Sequence, residues 1–192
     1  MFSAVLLAGG ESRRMGKDKA TVVFHLKPLW QRQLQVLHEL RPAKIFISAR
    51  SAPSWLPLEA ELLLDEPPSR GPLSGLTIAL QRMQTSHLVA LAIDMPFMTS
   101  EQLRLLCSLA LSSRGVVPVI DERAEPLAAI YPQEALADFA AALAGRDFSL
   151  QTLTRNLAHA GKVQMVGVAD ADRDLYRNIN APSDLLRTDT QE

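Results

Sequence analysis

The stretch Leu6-Leu7-Ala8-Gly9-Gly10-Glu11-Ser12-Arg13-Arg14-Met15-Gly16-Lys17-Asp18-Lys19 decides how the rest of the chain is read. An apolar run, Phe2–Ala8, stops abruptly at two glycines and gives way to a loop carrying Arg13, Arg14, Lys17 and Lys19. Short, nearly continuous apolar runs suit strands covered on both faces, as in a parallel sheet. In an open α/β sheet, ligands bind beyond the carboxyl ends of such strands. A glycine-rich turn there lets backbone N–H groups approach phosphate oxygens, and nearby cations neutralise the anion. Two familiar phosphate loops do not fit. Gly9 and Gly10 are adjacent, so G-x-G-x-x-G is absent; five residues separate Gly10 from Gly16, and Asp18 follows Lys17 where a P-loop needs Ser or Thr. A tight turn with solvated charges is the competing reading.

Working outward, apolar runs at Lys44–Ser48, Leu62–Leu64 and Leu88–Ala92 alternate with helical spacing over Leu29–Leu40, Leu73–Met83 and Ser100–Leu111. Ser100 is the expected N-cap of the last of these. Such alternation predicts α/β architecture, a right-handed βαβ-wound and mainly parallel sheet. Beyond Ser112 the rhythm changes. Gly115–Ile120 and Pro126–Tyr131 read as two strands joined by the charged turn 121–125, a small antiparallel addition beside the main sheet. Gln133–Leu143 and Leu150–His159 read as helices, Val163–Val168 as a strand and Pro182–Arg187 as a short terminal helix. The whole of 1–192 is expected to form one domain.

Composition narrows the function. Twenty Lys and Arg against 21 Asp and Glu leave a net charge of −1, without the basic excess of a nucleic-acid-binding protein. The single cysteine, Cys107, cannot form an intrachain disulfide and fits a reducing compartment. The apolar start lacks a basic segment before it and is shorter than a membrane span of about 20 residues. A cytoplasmic protein without membrane partners is expected. His25, His38, His87 and His159 show no metal-ligand spacing, and no G-x-S-x-G occurs.

Leu7 to Ala20 resembles the signature L-A-G-G-x-S-x-R-M-G-x-D-K-A of the molybdenum cofactor guanylyltransferases, members of the wider nucleotidyltransferase group. Further segments match in order: Lys27-Pro28-Leu29, Asp65, Gly71-Pro72-Leu73-Ser74-Gly75-Leu76, Asp94-Met95-Pro96-Phe97, Glu125 to Tyr131, and Asn178-Ile179-Asn180-Ala181-Pro182. The resemblance implies a Rossmann-like three-layer sandwich. It also implies transfer of GMP from GTP to the phosphate of molybdopterin, with or without bound molybdenum, releasing pyrophosphate. A nucleotide-binding half over about 1–112 and an acceptor-binding half over about 113–192 would follow.

On that resemblance, Leu7, Ala8, Gly9 and Gly10 bind the nucleotide, the two glycines through its phosphates, and Arg14 and Lys19 neutralise those phosphates. Asp94, at the end of the run Leu88–Ile93, holds Mg²⁺, for which a hard carboxylate oxygen shared with substrate phosphates is suited. Asp65 accepts hydrogen bonds from the guanine edge, and Gly71, Pro72 and Gly75 let the nucleoside approach the backbone. Ser48 stands where relatives carry an Asn that touches the nucleotide. Asn178 and Asn180, on one side of an extended segment, offer donors and acceptors to the acceptor. Cofactor-biosynthesis and molybdoenzyme-maturation proteins are the implied partners. Three alternatives remain: cytidylyl transfer to molybdopterin, transfer to a sugar phosphate, or a carrier that binds nucleotide without catalysis. The L-A-G-G loop and the Gly71-Pro72 segment favour GTP over CTP.

Overall fold

In a computed structural model, which describes residues 1–9, 18–65 and 67–179, seven strands form one hydrogen-bonded path. They are β1 (Phe2–Leu7), β4 (Ile45–Ala49), β5 (Glu61–Leu64), β6 (His87–Ala92), β7 (Gly115–Ile120), β9 (Ala128–Pro132) and β10 (Val163–Gly167). Their order across the sheet is β10-β7-β9-β6-β1-β4-β5, with a short strand β8 (Arg123–Ala124) paired to β7. Neighbours along this path are parallel except at β9, which runs antiparallel to both β6 and β7, and the short β8 is also antiparallel to β7. Strands β2 (Val23–Phe24) and β3 (Lys27–Pro28) make a separate antiparallel ribbon.

The alternation of each central strand feeds two cores. In β1, Ala4 and Leu6 face one side, where helices α1 (Leu29–Glu39) and α3 (Ser100–Leu109) bring Leu34, Leu37, Leu103 and Leu106. Val5 and Leu7 face the other, covered by α2 (Pro72–Arg82), α4 (Leu136–Ala144) and α5 (Leu150–His159). Strands buried on both faces must be apolar throughout, which is why β1, β4 and β6 lack polar alternation. The result is the expected α/β three-layer sandwich.

Four expectations need correcting. The antiparallel strand is inserted between β6 and β7 rather than added beside the sheet. It starts at Ala128 and not Pro126, because a turn closed by Ala128 N–H on the Glu125 carbonyl occupies the preceding residues. The N-cap of α3 is Thr99, whose hydroxyl accepts from Gln102 N–H, while Ser100 donates to Glu39 at 2.7 Å. Residues 133–135 form a 3₁₀ turn before α4, so the helix expected from Gln133 begins at Leu136. The helix expected at Pro182–Arg187 lies outside the described residues.

Candidate functional site

The carboxyl ends of β1, β4, β5 and β6 converge on a cavity of about 350 Å³. Parallel pairing brings them together: Ala8 N–H donates to the Ser48 carbonyl, Asp65 N–H to Ala49, and Ile93 N–H to Leu7. Leu7, Ala8, Gly9, Lys19, Ser48, Asp65, Gly71, Pro72 and Asp94 all line it. The first and last of these residues lie 87 positions apart in sequence, and only the sheet brings them to one edge.

On one side, the Lys19 ammonium donates to Asp94 Oδ2 at 2.8 Å, with the side chains 14% and 22% exposed. Lys19 opens a 3₁₀ turn, Lys19–Thr21, capped by Asp18, whose side chain accepts from Ala20 N–H. The other Asp18 oxygen accepts from the Trp55 indole at 3.0 Å, and Trp55 stacks on Trp30 at 5.5 Å. The returning end of the loop is thereby tied to the region after β4, which fixes where Lys19 emerges.

On the other side, Asp65 is 8% exposed and accepts from Ser48 at 3.3 Å and from Ser69 at 2.8 Å. Each carboxylate oxygen has about two lone-pair directions, so one bond to each leaves capacity for a ligand donor. Gly9 sits against this group: a Cβ there would lie 3.5 Å from Asp65 Oδ2 and 3.7 Å from the Arg50 amide. Gly71 is the N-cap of α2 at φ 65°, a left-handed conformation that favours glycine, and Pro72 occupies the first turn.

Gly75 lies elsewhere. It does not line the cavity; a Cβ there would meet Ser48 Oγ at 2.0 Å and Leu7 Cδ2 at 3.1 Å. The close approach it permits is of helix α2 to strands β1 and β4, not of a nucleoside to backbone. Gly10, Arg14 and Asn180 lie outside the described residues. Asn178 is exposed and does not line the cavity, yet its neighbour Ile179 donates its N–H to the Asp94 carbonyl at 2.8 Å. The C-terminal segment is therefore bonded to the Asp94 turn.

Arg50 and Leu127, for which the sequence suggested no role, also line the cavity. Arg50 follows the last residue of β4 and was open to the rule that picked out Asp65 and Asp94. Leu127 reaches the site because β9 enters the sheet beside β6, with Ala92 N–H donating to the Leu127 carbonyl. No periodicity announces that placement.

For a divalent cation, the described residues offer a single carboxylate, Asp94, on the Lys19 side of the cavity, and no cluster of three or more His, Cys, Asp or Glu. That donor set fits Mg²⁺, which keeps several waters and takes one or two protein carboxylates together with substrate phosphates. It does not fit a closed structural metal site.

The profile of the MobA-like NTP transferase domain matches residues 4–163, a span that contains the carboxyl ends of all four strands bordering the cavity. The chain belongs to the MobA-like NTP transferase family. Among its relatives is a probable molybdenum cofactor guanylyltransferase of Opitutus terrae, 33% identical over 95% of this chain and 92% of that one. Another MobA-like relative, the molybdopterin-guanine dinucleotide biosynthesis protein A of Archaeoglobus fulgidus, superposes with a TM-score of 0.75. It is 27% identical, covering 97% of this chain and 96% of its own. A nucleotidyl transferase from Methanothermobacter thermautotrophicus, 18% identical with a TM-score of 0.76 over 98% of this chain and 95% of its own, shares the fold.

Proposed function

We propose that the protein transfers GMP from GTP to the phosphate of molybdopterin, with or without its molybdenum, and releases pyrophosphate. The observation that carries the reading is the convergence of Gly9, Lys19, Asp65 and Asp94 on one cavity of nucleotide size. The names of the two relatives, a probable molybdenum cofactor guanylyltransferase and a molybdopterin-guanine dinucleotide biosynthesis protein A, support the choice of guanine and of a pterin acceptor.

The acceptor phosphate is already an anion and needs no strong base to attack the α-phosphorus. Catalysis then consists of positioning and charge neutralisation. The amide of Gly9, with Gly10 and Arg14 assigned from the sequence, faces the phosphates. Lys19 stabilises the charge that grows on the departing pyrophosphate. Asp65 accepts from the N1 and N2 edge of guanine, a pattern adenine lacks. Ser48 holds Asp65 for that task. Asp94 would hold Mg²⁺, which when bound supplies Lewis-acid neutralisation of phosphate oxygens. Residues 1–112 serve mainly the nucleotide, and 113–192, with Asn178 and Asn180, mainly the acceptor.

Among the described residues no helix is long and apolar enough to cross a membrane. The near-neutral charge and single cysteine support a cytoplasmic enzyme that hands its product to molybdoenzyme-maturation proteins. The decisive test is pyrophosphate release with molybdopterin and each of GTP, CTP, UTP and ATP. Release with GTP alone is expected. Preference for CTP would move the protein to cytidylyl transfer. Tight GTP binding without release would make it a carrier.

A further inference from the structure

The segment that reaches the Asp94 turn carries a cation which the reading above does not use. Tyr176 and Ile179 are buried, at 4% and 1% exposure, and Ile179 N–H is bonded to the Asp94 carbonyl. Between these two anchors Arg177 and Asn178 are exposed side by side. A two-residue excursion pinned at both ends has little freedom, so its side chains are presented rather than loosely attached.

The Arg177 guanidinium is fixed further. It lies over the ring of Phe97, three residues past Asp94, with 4.3 Å from Cζ to the ring centroid. Phe97 packs edge-on against Phe24 at 5.2 Å, and Arg32 lies over Phe24 at 5.5 Å. Arg32 in turn donates its Nε–H to the Pro96 carbonyl, inside the same Asp94 turn. The four side chains form a ladder, cation–ring–ring–cation, clamped to the backbone between Asp94 and Phe97. A guanidinium laid on an aromatic face keeps its N–H edges in one plane, ready for a bidentate anion. Its one ion-pair partner among the described residues is Asp174, at 3.9 Å, beyond hydrogen-bond distance. The Arg177 side chain is 47% exposed, so the donors are within reach of a solute.

We infer that Arg177 is an acceptor-binding residue: its guanidinium, held on Phe97, binds the phosphate monoester of the acceptor, while Lys19 serves the nucleotide. The inference rests on the transferase reading for the identity of the acceptor. Division of labour between the two cations follows from their positions. Lys19 lines the cavity, whereas Arg177 does not and stands two residues before Ile179, which is bonded to the Asp94 carbonyl.

The test measures equilibrium binding of molybdopterin, of its dephosphorylated form and of Mg·GTP to the wild type, Arg177→Ala, Arg177→Lys and Phe97→Leu. Arg177→Ala should weaken molybdopterin binding about tenfold or more, as expected for one charge-assisted bidentate contact. It should leave Mg·GTP binding and the dephosphorylated pterin unaffected. Arg177→Lys should recover only part, because an ammonium neither forks nor stacks as a guanidinium does. Phe97→Leu, which keeps the charge and removes the platform, should cost about two- to fivefold. Unchanged molybdopterin binding in Arg177→Ala would overturn the inference, as would equal loss for both pterins or for Mg·GTP. A wild-type protein that binds both ligands but releases no pyrophosphate would overturn the transferase reading and leave the Arg177 comparison intact.

Discussion

The contact between Lys19 and Asp94 makes a quantitative demand on the protein before any ligand is added. At 2.8 Å and an effective dielectric of about 20, the direct attraction is about 6 kcal/mol. Both side chains are mostly removed from water, at 14% and 22% exposure, and their desolvation offsets much of that term. A net coupling of about 1–3 kcal/mol remains, within the range found for paired groups. The perturbation is a double-mutant cycle: Lys19→Met, Asp94→Asn and the two combined, each followed by denaturant unfolding. Each single variant should lose stability by about 1–3 kcal/mol, or about 2–12 °C in Tm for a chain of this size. The double variant should be more stable than the sum of the two losses predicts. The same proteins, assayed for pyrophosphate release, should have lost at least about 10²–10³-fold in rate, the scale of removing a group that neutralises transition-state charge. A loss of this size leaves the protein folded at assay temperature, so the two effects separate. Additivity within about 0.5 kcal/mol would refute the pair as a feature of the ligand-free protein. Full activity in Asp94→Asn would refute its role in holding the cation. Adding Mg·GTP should remove the coupling, because phosphate and metal then take the two charges apart.

Gly75→Ala should destabilise the protein by about 2–3 kcal/mol through overpacking, since the new Cβ would meet Ser48 Oγ at 2.0 Å. Ser48→Gly in the same chain should recover most of the lost Tm; no recovery would mean that helix α2 is displaced for another reason. Burial pushes the Cys107 thiol up to about 11, so at pH 8 iodoacetamide should label the native protein at least tenfold more slowly than the unfolded chain. Equal rates would place Cys107 on an open surface. Burial also raises the Glu125 carboxyl above its ordinary value, with Arg123 opposing the shift. A raised carboxyl pKa means that folding favours the protonated form, so stability is lost as pH rises through the folded value. Glu125→Gln should therefore raise Tm more at pH 8 than at pH 5; a larger gain at pH 5 would reverse the sign and sink the argument.

What the sequence determined alone was the seven strands of the main path and the polar residues that follow them. Apolar runs broken by Gly9, Asp65 or Asp94 can be read without coordinates, because a strand buried on both faces must be apolar throughout and its polar successor must leave the sheet. The phosphate-loop chemistry proposed for Gly9 and Lys19 rests on the same local pattern. Tertiary structure decided what depends on lateral strand order. Inserting β9 beside β6 brings Leu127 to the site, and strand order is set by packing between segments that periodicity treats as independent. It also separated Gly75 from Gly71. Both follow the same kind of local pattern, but Gly75 points at Ser48 across a helix–strand contact, whereas Gly71 opens onto the cavity. The pairing of Lys19 with Asp94, 75 residues away, and the seating of Arg177 on Phe97 are likewise consequences of the fold closing. Local sequence specifies which groups exist and what conformations they favour; only the closed sheet sets the distances at which their charges act.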